Sequence, residues 1–242
     1  MSQLKFLDNP IFMDDVFEAL SSQFSDKQEF LDFYNSLPDD KTKDDFLRVG
    51  TDYLFFVKSG DWHVDVKRSA PIVSYFTNSF KLVSLLSIIE GLESTKHLEF
   101  FDWLNKRENK NIFPIERREL DGHYRKYKQE HGSISNVVSF FKSLSSNTQE
   151  RLRSHVTIDD VPIESTELLV KLIYHVRSKF AHSTTHTLEI GDVNHCSKHK
   201  GKLMVWRKFT MGMLLNSVEE GIIIHFRNRD QKIYQAVQLD KK

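Results

Sequence analysis

An arginine and a histidine five residues apart, Arg177 and His182, close the stretch ELLVKLIYHVRSKFAHS that runs from Glu167 to Ser183. An imidazole takes or delivers a proton near neutral pH, and a guanidinium holds a phosphate through two parallel hydrogen bonds as negative charge builds. Those two residue types are enough for phosphate chemistry without a metal. The spacing alone carries no information in a chain with 11 histidines. Arg118 and His123 repeat it, and Arg125 and His131 miss it by one residue, both in a polar stretch without periodicity. Only Arg177 and His182 sit in a long apolar run, where Leu168, Leu169, Leu172, Ile173, Val176 and Phe180 recur with the period of a buried helical face. The same residues have a plain structural reading: His182 sits at the negative end of a helix dipole and Arg177 pairs with a carboxylate such as Glu90.

The helix that carries the pair begins at Ser165, a capping residue, with Glu167 in its first turn. Five residues along a regular helix turn the chain by about 500 degrees, which leaves the two positions about 140 degrees apart. Either the helix bends or ends between them, or the histidine meets the arginine of a second protomer.

Composition bounds what surrounds this helix. The 242 residues hold 39% hydrophobic and 28% charged side chains, with only 9 Gly and 5 Pro, which disfavours a turn-dense β fold and predicts a mainly helical one. Net charge is zero, so any basic site must be local. A single cysteine, Cys196, excludes an intrachain disulfide, and the first residues lack the pattern of a signal peptide, so an intracellular, cytoplasmic protein is expected. The longest apolar stretch, Leu82 to Leu92, is interrupted by Ser84, Ser87 and Glu90 and falls short of a bilayer span, so no membrane association is expected.

Taken in order, Asn9 and Pro10 start a short helix, Ser25 caps a second, and the aromatic run from Phe46 to Val57 fits either helix or strand beyond Gly50. Ile72 to Glu93 is the longest helix candidate, and His97 to Asn105 continues helical. Residues 105–133 are charged and aperiodic and read as an insertion or extended connection, with Lys106, Arg107, Lys110, Arg117, Arg118, Arg125, Lys126 and Lys128 interleaved with Tyr124 and Tyr127; the mix suits phosphates and bases, and its plain structural reading is a solvated loop or charged helix face. Further helices follow from Ser135 and Thr148, then a turn at Asp159, Asp160 and Pro162. A small hairpin is expected from Thr187 to Val193 and Lys202 to Phe209, then a closing helix from Met211 to Phe226. Lys198, Lys200, Lys202, Arg207 and Lys208 make the hairpin the most basic short segment, a candidate contact for RNA backbone. His195, Cys196 and His199 lack an evident fourth ligand nearby and read as a polar hairpin tip rather than a metal site.

The run LLVKLIYHVRSKFAHS resembles the signature of the HEPN superfamily (higher eukaryotes and prokaryotes nucleotide-binding), in particular its Apea-like group, whose motif is Arg-x4-6-His. Ile173, Tyr174 and Val176 match the hydrophobic positions before the arginine and Ser183 the small or polar one after the histidine. Ser178 stands where asparagine or aspartate is commonest. The likeness extends to IIEGLES, similar to the first family helix, and covers about Pro71 to Arg229. The resemblance implies a helical bundle, here residues 71–229 with the charged insertion near 105–133; an N-terminal helical extension (1–70), packed on the rest, and a tail (230–242) lie outside it. It further implies a homodimer whose two Arg-His motifs face one another, and a metal-independent endoribonuclease with no cofactor. Arg177 would bind the scissile phosphate and His182 transfer protons, with Ser178 and Glu90 in support. RNA is the implied substrate, a toxin or antiviral defence role the implied setting, and a protein antitoxin or regulator an implied partner. Other members of the superfamily bind RNA or proteins without cutting, which is the alternative reading.

Overall fold

Capping side chains set where most of the early helices begin. Asn9 accepts a hydrogen bond from the Ile11 amide (3.1 Å) and starts α1 (Ile11–Leu20). The start of α2 (Lys27–Asn35) falls one residue later than expected: Asp26 accepts from the Glu29 amide (2.9 Å), and the Glu29 carboxylate accepts from the Ser25 amide (2.7 Å). The first bond satisfies one of the amides a helix start leaves open, and the second ties the residue before the cap back to the first turn. Asp39 caps α3 (Asp40–Tyr53) by accepting from the Thr42 amide (2.7 Å).

The computed structural model describes residues 6–7, 9–61, 70–92, 100, 103, 106, 117–183 and 188–239, with the side chains of 70–74, 117–118, 131, 133, 182–183 and 229–239 left out. The remaining elements are a π-helical turn (Leu54–Lys58), α4 (Ala70–Leu92), α5 (Arg117–His131), α6 (Ser133–Lys142), α7 (Ser146–Ser154), β1 (Val156–Ile158), β2 (Val161–Pro162), α8 (Thr166–Ser183), β3 (His195–His199), β4 (Lys202–Trp206) and α9 (Met211–Leu239). The protein is mainly helical with one small antiparallel sheet of order β2-β1-β4-β3. No helix among the described residues is long and apolar enough to cross a membrane.

Beyond Gly50, where the sequence leaves helix and strand open, the chain stays helical to Tyr53 and runs on into the π-helical turn. Gly50 does not break α3. It lets α1 approach so closely that a Cβ there would stand 2.6 Å from a Val16 methyl. The N-terminal helices share the buried core with the rest: Phe46 packs edge-on against Phe226 of α9 at 5.1 Å.

Residues 117–131, within the stretch read as an insertion or extended connection with a solvated loop or a charged helix face as its alternatives, form the helix α5; its stripe Leu120, Tyr124 and Tyr127, at i, i+4 and i+7, is helical but narrow, and its members stay partly exposed. Residues 107–116, and most of His97 to Asn105, lie outside the described residues. The hairpin strand expected from Thr187 to Val193 instead forms at His195–His199, closing on β4 through Lys200 and Gly201, both at positive φ. Residues 188–190 turn because Ile190 and Gly191 are tied elsewhere: Asn78 of α4 donates to the Ile190 carbonyl (3.0 Å), and the Gly191 amide donates to the Phe209 carbonyl (2.9 Å). A second hairpin, β1–β2, turns at Asp159 and Asp160, and β4 pairs with β1 to join the two.

Candidate functional site

Ser165 accepts from the Leu168 amide (3.2 Å), as expected, and starts α8. Leu169, Val170, Leu172, Ile173 and Val176 are buried, which leaves Tyr174, Arg177 and Ser178 at the edge of the packed face, half-buried. Arg177 donates from Nη1 to the Tyr174 hydroxyl (3.2 Å), and its guanidinium carbon stands 5.2 Å from the centre of the Tyr174 ring. Its Nε is buried and has no hydrogen-bond partner among the described residues. No carboxylate among them lies within ion-pair distance of it. A guanidinium drawn into a protein surface normally meets an acid, because desolvation of the charge is otherwise uncompensated. Arg177 has a phenol instead, which orients the group and leaves its charge unneutralised.

The pairing of Arg177 with Glu90 does not occur. Phe80 of α4 packs edge-on against Phe180 of α8 at 5.1 Å, which fixes the level at which the two helices meet. Glu90 Oε1 is itself buried without a hydrogen-bond partner among the described residues. Ser178 follows Arg177 directly and is half-buried.

The helix α8 runs unbroken through residues 177 and 182 to Ser183, so it does not end between them, and the two positions remain about 140 degrees apart around its axis. The His182 side chain lies outside the described residues. What holds this end of α8 was missed in the sequence. Lys179 places its ammonium 3.5 Å from Glu189, a buried carboxylate in the turn that Asn78 and Phe209 also anchor. A glutamate directly before Ile190 and Gly191 gave no periodic signal.

The five basic hairpin residues divide. Lys202 pairs with Asp159 (3.4 Å) and Arg207 with Asp160 (3.5 Å), across to the β1–β2 turn, while Lys198, Lys200 and Lys208 are exposed. No hydrogen bond or ion pair among the described residues joins any of the five to α8. Strand alternation puts Cys196 on the opposite face of β3 from His195 and His199, and no three His, Cys, Asp or Glu among the described residues are arranged to hold a metal.

Two further features lay beyond the sequence reading. A cleft of about 670 Å³ opens between α5, α6 and α8, with Lys128, Gln129, Lys171 and Tyr174 in its walls. At its rim Glu167 accepts from Lys171 (2.6 Å) and Lys142 (2.9 Å), and these hydrogen bonds hold its carboxyl down at about 2. The other feature is a buried carboxylate, Glu219 of α9, which accepts from the Tyr53 hydroxyl (2.8 Å) and from Ser22 and lies 3.1 Å from the Lys58 ammonium. Burial, then the neighbouring Glu219 charge, push the Tyr53 hydroxyl well above its usual range. The signal was available: Glu219 stands four residues after Leu215 and three before Ile222, on the apolar stripe of its helix. Because Lys58 also donates to the Ala19 carbonyl (2.7 Å), this group ties α1, α3 and α9 together and serves the fold.

In comparisons with known proteins, no family model, no curated protein and no solved structure matches the chain.

Proposed function

We propose that the protein is a metal-independent endoribonuclease of the HEPN kind, in which Arg177 holds the scissile phosphate and His182 transfers protons. The observation that carries this reading is the state of Arg177: half-buried, fixed against Tyr174, and without a carboxylate among the described residues. A phosphate is the anion a planar guanidinium fits best. In the proposed reaction the RNA 2′-hydroxyl attacks phosphorus, an imidazole accepts its proton, and the 5′-oxygen leaves with a proton returned to it. The products are a 2′,3′-cyclic phosphate and a 5′-hydroxyl. Because positions 177 and 182 diverge around α8, a second protomer would bring its histidine opposite Arg177, so the active form is a homodimer.

The test is cleavage of a mixed cellular RNA pool in EDTA by the wild type, His182→Ala and Arg177→Ala, with end-group analysis and a DNA control. Cutting by the wild type alone, with cyclic phosphate ends and intact DNA, is the expected result. A folded wild-type dimer that leaves RNA intact with and without added divalent cations refutes the nuclease. One observation favours the alternative, an RNA-binding or protein-interaction module without cleavage: Nη1 of Arg177 is already committed to the Tyr174 hydroxyl.

A further inference from the structure

We infer that the cleft between α5, α6 and α8, together with an aromatic ledge on α5 that leads into it, is a binding track for single-stranded RNA that ends at Arg177. This rests on the reading of Arg177 as a phosphate site and assigns the residues that deliver a strand to it. At the α8 end, Tyr174 is both a wall of the cleft and the side chain that holds the Arg177 guanidinium. At the α5 end, Lys128 lines the same cleft while its ammonium rests 4.5 Å from the centre of the Tyr124 ring. The lysine therefore connects the ledge to the cleft.

The ledge is a firm surface. Tyr124 is 42% exposed and lies nearly parallel to Tyr127, 6.3 Å away with 20° between the planes. Phe100 meets both rings edge-on, at 5.6 and 5.2 Å, and itself stacks on the buried Trp103. The Trp103 indole N–H donates to Glu130 (3.1 Å), so the rings behind Tyr124 are packed and hydrogen-bonded. A tyrosine ring backed in this way is already ordered, and it stacks a base once the Lys128 ammonium above it turns to a phosphate of the strand.

Charge selects the occupant. On the ring-bearing stretch of the helix Arg125, Lys126 and Lys128 are all exposed; Lys126 lies 3.9 Å from Glu130, and Arg125 and Lys128 are in no ion pair among the described residues. Across the cleft Glu167, the one carboxylate among the described residues that line it, is held by two lysines, leaving that wall positive as well. Alternating cations and exposed rings suit a single strand, whose phosphates and base faces are both within reach. A duplex hides its base faces in its own stack and cannot use the ledge.

The test measures anisotropy of a labelled 2′-O-methyl RNA of about a dozen nucleotides, which cannot be cleaved through its 2′-oxygen, against the full-length chain and its Tyr124→Ala, Tyr124→Phe and Lys128→Ala variants. The wild type is expected to bind the single strand at least about 10-fold tighter than the same sequence as a duplex. Tyr124→Ala should weaken binding by about 10-fold or more while Tyr124→Phe retains it, as stacking requires. Lys128→Ala should weaken binding and lower the salt dependence by about one phosphate contact. Equal affinity for duplex, or wild-type affinity in both alanine variants, overturns the track. Because the ligand is uncleavable, that result leaves the cleavage assay of His182→Ala and Arg177→Ala to judge the nuclease separately. Specific binding with no cleavage of natural RNA would keep the track and remove the nuclease.

Discussion

Replacing Arg177 with methionine separates a functional arginine from a structural one. The substitution keeps an unbranched apolar stem and removes the charge. It loses the hydrogen bond to Tyr174 at 3.2 Å and the ring contact at 5.2 Å. A hydrogen bond from a charged donor contributes about 1.5–3 kcal/mol and a guanidinium over a tyrosine about 0.5–1 kcal/mol. Against this, the buried Nε–H that has no partner disappears, and leaving such a group unsatisfied costs about 1–3 kcal/mol. The two sides nearly cancel, and the variant should lose only about 1 kcal/mol. An arginine serving a buried ion pair behaves differently, since removing one partner costs about 3–5 kcal/mol. For a chain of 242 residues, 1 kcal/mol moves Tm by about 2–4 °C. Thermal unfolding followed by circular dichroism therefore distinguishes a fall of about 2–4 °C from one above about 6 °C. The expected combination is a small fall in Tm with RNA cleavage abolished. A fall beyond about 6 °C refutes the argument, because Arg177 would then be holding the fold and any lost activity would say nothing about phosphate.

Three other outcomes are expected. Tyr53→Phe removes a hydrogen bond from the buried Glu219 carboxylate and should cost about 1–3 kcal/mol in urea unfolding. Tyr53 has its folded-state pKa raised, so its contribution is full below its unfolded value near 10 and is lost as pH rises further; the phenylalanine variant should show less alkaline loss of stability than the wild type. Glu167 runs the other way: with its carboxyl lowered to about 2 from 4.5, its contribution is present above pH 4.5 and fades as pH falls toward 2, so Glu167→Gln should flatten that part of an acid titration of stability. Gly50→Ala should destabilise by about 1–3 kcal/mol despite alanine's better helix propensity, because the new methyl meets Val16 at 2.6 Å, and Val16→Ala in the same chain should recover part of the loss. Additive effects of the two changes would exclude this contact.

Periodicity made much of the helical framework legible. The stripe of α8, the long α4 and the start of α9 follow from apolar spacing, and the caps at Asn9 and Ser165 from residue type. The sequence also singled out Arg177 as unusual, since a guanidinium among so many apolar neighbours needs a reason. Its partner was not legible: Glu90 was an acid on another helix, but nothing in a linear chain says that Arg177 meets Tyr174 while Glu90 Oε1 is buried with no hydrogen-bond partner among the described residues. The helix α5 was legible only as one of two alternatives, solvated loop or charged helix face, because its ring-bearing face is narrow and its other positions are charged.

What residue order determines here is what local forces decide. Helix or turn follows from the spacing of buried side chains and from capping oxygens within three or four residues of the amides they satisfy. Tertiary structure alone decided which long-range partners meet. Glu219 is buried because Tyr53, Ser22 and Lys58 arrive from far along the chain to satisfy it. Lys202 and Arg207 meet Asp159 and Asp160 because β4 pairs with β1. The turn at Glu189 replaces a strand because α4, α8 and Phe209 all hold it. Such pairings depend on how helices of similar local character stack, which involves distances that no local pattern encodes.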